Sequence, residues 1–141
     1  MKIYPARRLG LIALASAVLI SSACKSANAP AAKEIQSYRA GDLVISLLSG
    51  SGDLAQGQNN FVIAFRTANN QPVDAGMVTL SASMSMPGMT PMTAPIELQP
   101  AGQTGQYAVK GDFGMSGAWR FEVRWDGPAG KGSTSFNSNV R

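Results

Sequence analysis

The chain has 141 residues, with twelve Lys and Arg, eight Asp and Glu, one Cys and no His, and its formal net charge is +4. Without histidine there is no histidine general base, no Ser-His-Asp or Cys-His nucleophile system and no histidine-ligated zinc or blue-copper site. The single cysteine excludes an internal disulfide, a CxxC redox pair and a zinc finger. Glu97 and Glu122 stand alone rather than as paired carboxylates. The sequence therefore predicts a protein that is not an enzyme.

The first 23 residues have the organisation of an export signal. Lys2, Arg7 and Arg8 precede an apolar run over residues 9–20, which is too short to span a bilayer. Removing residues 1–23 removes three of the twelve basic residues and no acidic one, so the mature net charge is 9 − 8 = +1. The remaining charges are scattered singly, without the basic stripe that contacts phosphates. Nucleic acid is therefore not expected as a partner.

Cys24 directly follows this predicted signal peptide. The stretch Ile20-Ser21-Ser22-Ala23-Cys24 resembles the lipobox of bacterial lipoproteins. The resemblance implies a lipid anchor on Cys24, which would hold the mature chain on a membrane facing the periplasm or the cell exterior. The alternative is ordinary signal peptidase cleavage at Ser-x-Ala or further along, which leaves an unpaired thiol or none.

The mature chain divides into a linker and one domain. Residues 24–40 are rich in Ala, Ser, Asn and Pro and have no sustained apolar period, so they are predicted to form a linker after the lipidated cysteine. Ile35 and Tyr38 could still dock on the folded part. From residue 41 to residue 141, short apolar stretches alternate with Gly, Pro, Asn and Asp clusters, a pattern that indicates an all-β domain.

About seven strands are expected, and the clearest lies over residues 118–125. Its side chains alternate between large apolar residues and Arg or Glu, which indicates one buried and one solvated face. The predicted strands lie near residues 42–48, 60–66, 76–84, 95–98, 106–110, 118–125 and 132–139. Seven short strands without a helical period favour an antiparallel immunoglobulin-like β-sandwich. A small closed barrel is the alternative, because a strand count does not separate the two.

The chemically unusual segment is the loop over residues 81–95. It holds Met84, Met86, Met89 and Met92, so that four of the six mature methionines lie within nine residues. Thioethers are soft, neutral ligands that suit Cu(I), and their binding of metal requires no deprotonation. Prolines at positions 87 and 91 kink the loop and could turn two or three sulfurs toward one point. Met115, in a Gly-rich turn, is a possible supplementary ligand.

Core packing is the competing explanation for these side chains. Met84 and Met86 continue the inward parity of the strand before them and could fill one end of the sandwich. Met115 could pack beneath the loop. Trp119 could present its indole face to a cation, but its place in the alternating strand favours a core position.

Several segments together resemble the YtkA-like domain, which is related to the FixH family. The resemblance covers about residues 41–138, and its most specific parts are the Met-Pro-Gly-Met loop and the Gly-x-Tyr…Met-x-Gly-x-Trp tail. The matching segments are residues 60–63 (NFVI), 71–75 (QPVDA), 84–89 (MSMPGM), 105–107 (GQY), 113–117 (FGMSG) and Trp119. The resemblance implies an exported β-sandwich with relatives encoded near heavy-metal efflux or copper-oxidase maturation systems. Relatives often have a histidine near the methionine loop, whereas this chain has none.

Two functional hypotheses follow. The first is a non-enzymatic cell-envelope lipoprotein that serves as an accessory, soft-metal module, with Cu(I) held by the four loop methionines and Met115. The second is a protein-interaction module whose loop docks on a membrane transporter or an oxidase subunit without binding metal.

Overall fold

The computed structural model describes residues 32–141, which form nine β-strands and no helix. The predicted signal peptide and Cys24 lie outside these residues. Within residues 32–141, no helix has the length and apolar character needed to cross a membrane. The strands are β1 (Lys33–Ala40), β2 (Leu43–Ser49), β3 (Gly57–Thr67), β4 (Met77–Met84), β5 (Met92–Thr93), β6 (Ile96–Pro100), β7 (Gln106–Phe113), β8 (Gly117–Gly127) and β9 (Gly130–Val140).

The strands form two antiparallel sheets. Sheet A has five strands in the order β1-β2-β3-β7-β6, and sheet B has four in the order β5-β4-β8-β9. The predicted antiparallel sandwich is confirmed, with nine strands instead of about seven. Two separate sheets, rather than one closed sheet, distinguish this fold from the barrel alternative.

The core lies between the sheets and is rich in aromatic side chains. In β8, Trp119, Phe121 and Val123 are completely buried, while Arg120 and Arg124 on the other face are exposed. This confirms the period-two pattern of the sequence. Burial of each such large apolar side chain stabilises the fold by about 1.5–3 kcal/mol. The rings of Phe113 and Trp119 meet edge to face, with their centroids 5.2 Å apart.

The structure corrects the boundary between linker and domain. Residues 33–40, which the sequence analysis assigned to the linker, form strand β1 at the edge of sheet A. Tyr38 stacks on Phe136 of sheet B with 4.1 Å between ring centroids, and its hydroxyl donates to the carbonyl of Asn137. The strand therefore joins the two sheets along one side of the sandwich, and residues 33–40 belong to the folded domain.

One end of the sandwich is closed by tight backbone contacts around Gly105. Its carbonyl accepts a 2.7 Å hydrogen bond from the Phe65 amide, and its φ angle is +72°. The Tyr107 hydroxyl donates to the carbonyl of Gly76 at 2.9 Å. Burial of the phenol, together with the nearby Asp74 carboxylate, raises the pKa of Tyr107. The opposite end, which carries the methionine loop and the turn from β7 to β8, is called the methionine end below.

Candidate functional site

Met84 and Met92 are brought together by the pairing of β4 with β5. They occupy directly opposite positions in this antiparallel pair, and Ser83 and Thr93 form the neighbouring pair. Opposite residues project from the same face of a sheet, with Cβ atoms about 5 Å apart. Met84 is 6% exposed and belongs to the core, and Met92 is half-buried against it. The two thioethers therefore share the inward face at the end of sheet B.

The segment between these strands is a hairpin with its tip at Pro87 and Gly88. The Met89 amide donates to the carbonyl of Met86 at 3.2 Å, and Gly88 has a φ angle of +75°. Proline at the second position and a left-handed glycine at the third are the residues that a type II turn requires. This turn places Met89 at the tip, where it is 62% exposed, and leaves Met86 half-buried.

The turn from β7 to β8 lies against the methionine pair. A Cβ atom added at Gly117 would be 2.9 Å from Cε of Met84, and one added at Gly114 would be 3.5 Å from Cε of Met92. The lack of a side chain at Gly117 thus leaves room for the methyl group of Met84, and Gly114 brings the turn within ordinary van der Waals range of Met92. Met115 lies between them in the chain and is 39% exposed. A third thioether therefore belongs to the same end of the sandwich.

Hydrogen bonds hold this turn from two sides. Trp119 donates from Nε1 to the carbonyl of Met115 at 2.9 Å, and Gln56 donates from Nε2 to the carbonyl of Gly114 at the same distance. Trp119 is completely buried and packs edge to face against Phe113. The core position of Trp119 is confirmed, and its indole does not offer an open face to a cation. Its role at this end is to fix the backbone that carries Met115.

The side-chain atoms that could bind a metal at the methionine end are thioether sulfurs. Within residues 32–141, no group of three or more His, Cys, Asp or Glu side chains is arranged to hold a metal ion. Met84, Met92 and Met115 are neutral at every physiological pH, so a soft ion binds them without proton release. This set fits Cu(I) and differs from the nitrogen and oxygen ligands that Cu(II) and other harder ions favour.

The five methionines predicted as ligands thus divide into two groups. Met84, Met92 and Met115 lie on elements that meet, whereas Met86 and Met89 belong to the hairpin that extends beyond them. Burial of Met84 also confirms that its position continues the inward parity of β4. The direct opposition of Met84 and Met92 was missed by the sequence analysis. The sequence feature that indicates this pairing is the Pro-Gly dipeptide midway between the two methionines, because Pro-Gly favours a hairpin turn.

Comparison with known proteins gives one family and one fold. The model of a family described as YtkA-like matches residues 42–124. No curated protein matches the chain. Among solved structures, the chain is similar to a DUF4426 family protein from Pseudomonas aeruginosa PAO1, with 18% identity and a TM-score of 0.50. The similarity covers 74% of this chain and 96% of the other, and at this identity it shows a shared fold alone.

Proposed function

Because this chain belongs to the YtkA-like family, we propose that it is an exported, non-enzymatic module that binds Cu(I) as cargo at the methionine end. The proposed ligands are Met84, Met92 and Met115, with Met86 adjoining them. The observation that carries the proposal is the direct opposition of Met84 and Met92 on one face, beneath the turn that bears Met115.

Rigid placement of the donors supports this proposal. Met84 and Met92 are fixed by strand pairing, and the backbone of Met115 is fixed by Trp119. Sites that are built on strands and held by surrounding hydrogen bonds lose less conformational entropy on binding. The half-buried Met92 and the partly exposed Met115 leave a route for an ion from solvent, while Met84 provides a donor from the core side.

The proposed setting is the cell envelope, with the chain anchored through Cys24. Lys33 at the start of β1 pairs with Ser49, so the chain enters the domain at the methionine end. The eight residues from Lys25 to Ala32 span at most about 28 Å when fully extended. A lipid on Cys24 would therefore keep the methionine end close to the membrane, where a metal-efflux or oxidase membrane protein could exchange the ion. The mass of the N-terminal peptide tests the anchor, and an unmodified residue downstream of Cys24 contradicts it.

Titration of the full chain with Cu(I) in the presence of a competing chelator tests the proposed function. We expect one Cu(I) per chain to be withdrawn from the chelator, because Met84 and Met92 are paired and Met115 lies on the turn next to them. Met77→Leu is the matched control, since Met77 lies at the opposite end and is 76% exposed. Binding that is no tighter than nonspecific thioether contact, or that Met77→Leu weakens, contradicts the proposal.

Docking on a membrane protein without metal is the second candidate. The observation in its favour is the exposure of Met89 at the hairpin tip. Leucine conserves the volume and apolar character of methionine but removes the sulfur. Docking by apolar contact is expected to survive replacement of Met89 and Met92 by leucine, whereas thioether ligation is not.

A further inference from the structure

The methionine end has an exposed surface without charge, and this surface consists of two segments. The first is the hairpin tip, residues 87–91, and the second is the turn over residues 114–118; every residue of both is exposed. Neither segment contains a charged side chain. Among the described residues, three large apolar side chains are exposed, and two of them, Met89 and Met115, lie in these segments. This end of the sandwich therefore presents apolar side chains to its surroundings.

The opposite end of the sandwich is charged and provides the contrast. The turn between β1 and β2 follows Arg39 and contains Asp42. The turn between β8 and β9 is flanked by Asp126 and Lys131, which form an ion pair at 3.1 Å. Met77 is exposed at this end, but it lies opposite Asp126 in the pairing of β4 with β8. Exposed apolar side chains without neighbouring charges therefore distinguish the methionine end.

The backbone of the hairpin tip is also suited to an apolar environment. Transfer of a backbone N–H group into lipid is costly when the group has no acceptor. The prolines at both ends of the hairpin tip have no N–H, and the Met89 amide already donates to the carbonyl of Met86. In the described part of the chain, the amides of the hairpin tip without a protein acceptor are those of Gly88 and Thr90. The hairpin tip thus carries few polar groups that contact with lipid would leave without a partner.

The position of the N-terminal chain determines which end of the domain reaches a membrane most easily. Strand β1 runs from Lys33 at the methionine end to Ala40 at the opposite end. It has eight residues and is about 26 Å long. The segment from Lys25 to Ala32 spans at most about 28 Å, so contact by the opposite end would require it to run back along the whole strand almost fully extended. Contact by the methionine end requires no such extension.

We propose that the hairpin tip, together with Met115, contacts the surface of the lipid bilayer when the chain is anchored through Cys24. This inference rests on the proposed anchor and does not depend on Cu(I) binding. Interfacial binding strength scales with the buried apolar area, so two partly exposed methionines bind a bilayer only weakly by themselves. A short tether makes the contact intramolecular, with an effective concentration on the order of millimolar. The anchored chain therefore forms a contact that a free chain would form rarely.

The contact is expected to be apolar and not electrostatic. Four of the twelve basic residues precede β1, so residues 33–141 have a net charge of 8 − 8 = 0. At the methionine end, Arg141 pairs with Asp53 at 3.2 Å, and Lys33 is followed directly by Glu34. Anionic lipids attract clusters of Lys and Arg, and residues 33–141 contain no such cluster. The contact should therefore be equally strong on zwitterionic and anionic bilayers.

Methionine ε-methyl NMR signals of the anchored chain on lipid nanodiscs, without added metal, test this inference. The nanodiscs contain phosphatidylcholine and a lipid with a nitroxide near the headgroup end of its acyl chain, which broadens the signals of nearby methyl groups. The Met89 signal should lose at least about fivefold in intensity, because an interfacial side chain lies about 5–10 Å deep. The signal of Met77, which is more exposed but lies at the opposite end, should remain sharp.

The anchor and the contact can fail separately in this experiment. If the mass of the N-terminal peptide shows no lipid, the chain that begins at Cys24 is joined through its thiol to a maleimide-bearing lipid. The same nanodiscs then report whether the hairpin tip contacts the bilayer when the tether is present.

Met89→Glu and Met77→Glu are a matched pair of variants. Charged side chains are costly to place in a bilayer, so Met89→Glu should reduce the broadening of the Met115 signal at least about threefold. Met77→Glu introduces the same charge at the opposite end and should leave that broadening unchanged. Both positions are exposed, so both variants should fold, and an unchanged signal of the core residue Met84 would verify this.

Three other results contradict the inference. Equal broadening of the Met77 and Met89 signals would indicate nonspecific adsorption of the domain. A Met89 signal that stays sharp on the nanodiscs would leave the hairpin tip to a protein partner. Broadening that appears only when anionic phosphatidylglycerol is added would assign the contact to charged residues elsewhere on the domain.

Discussion

Replacing Met84 and Met92 together by leucine is expected to lower the Cu(I) affinity of the chain by about 100-fold, or about 2.7 kcal/mol. The change removes the two sulfurs that strand pairing places opposite each other and leaves only Met115 among the three proposed ligands. Leucine and methionine have similar volumes, so the packing of the core at this end should be conserved. The measurement is the competition titration with the chelator, repeated on the double variant.

The control for this prediction is the stability of the same variant. Exchange of buried methionine for leucine normally costs less than about 1.5 kcal/mol. The free energy of unfolding of the double variant should therefore remain close to that of the wild type, as should that of Met77→Leu. Unchanged Cu(I) affinity in a folded double variant would remove Met84 and Met92 from the proposed site.

Gly105→Ala is expected to lower the free energy of unfolding by about 3 kcal/mol. A Cβ atom at this position would lie 2.3 Å from the carbonyl oxygen of Val73 and 2.7 Å from that of Phe65. Both obstacles are backbone atoms, so the strands themselves must move apart. The φ angle of +72° adds the cost of a left-handed conformation, about 1–2 kcal/mol, to an overpacking cost of about 1–3 kcal/mol.

Gly102→Ala separates the two causes of this loss. Gly102 has a φ angle of +79°, but a Cβ atom there would meet no other atom within 4 Å. Its replacement should therefore cost only about 1 kcal/mol, the strain of the left-handed backbone. Urea unfolding of both variants measures the difference. Equal losses for the two variants would show that the close approach of Val73 and Phe65 to residue 105 has no energetic consequence.

The strands that are easiest to predict from the sequence are those with regular alternation. In β3, Phe61, Ile63 and Phe65 are buried as their spacing of two indicates, and β8 follows the same pattern from Ala118 to Asp126. In such strands every second side chain enters the core, so the apolar residues that alternate in the sequence are the ones buried in the structure. Each of the seven predicted strands corresponds to an observed one.

Strand β1 has a different pattern, and the sequence predicts a linker at its position. Its two large apolar residues, Ile35 and Tyr38, are three positions apart, which does not fit a period of two. The structure resolves this mismatch with a β-bulge between Glu34 and Gln36, where the register with β2 shifts by one residue. The extra residue changes the parity, so both Ile35 and Tyr38 pack against the core. Periodicity alone does not reveal a strand that contains a bulge.

The candidate site was accessible to the sequence analysis only in part. Composition identified the methionine cluster, because four thioethers within nine residues are evident without a structure. Their arrangement depends on β5, which has two residues and lies between Pro91 and Pro95. A strand of that length has no periodicity of its own and forms through pairing with β4. The contact of Gly114 and Gly117 with the methionine methyl groups is likewise a tertiary feature, which local patterns do not encode.

The methyl groups of Met84, Met92 and Met115 report directly whether these three residues form a soft-metal site. Methionine ε-methyl NMR signals of the full chain, recorded during titration with Ag(I) as a redox-inert substitute for Cu(I), report each thioether separately. We expect the signals of Met84, Met92 and Met115 to shift together at one equivalent, before that of Met77. Nonspecific contact would instead follow exposure, so the 76% exposed Met77 would respond first and the 6% exposed Met84 last. That order would contradict the proposed site.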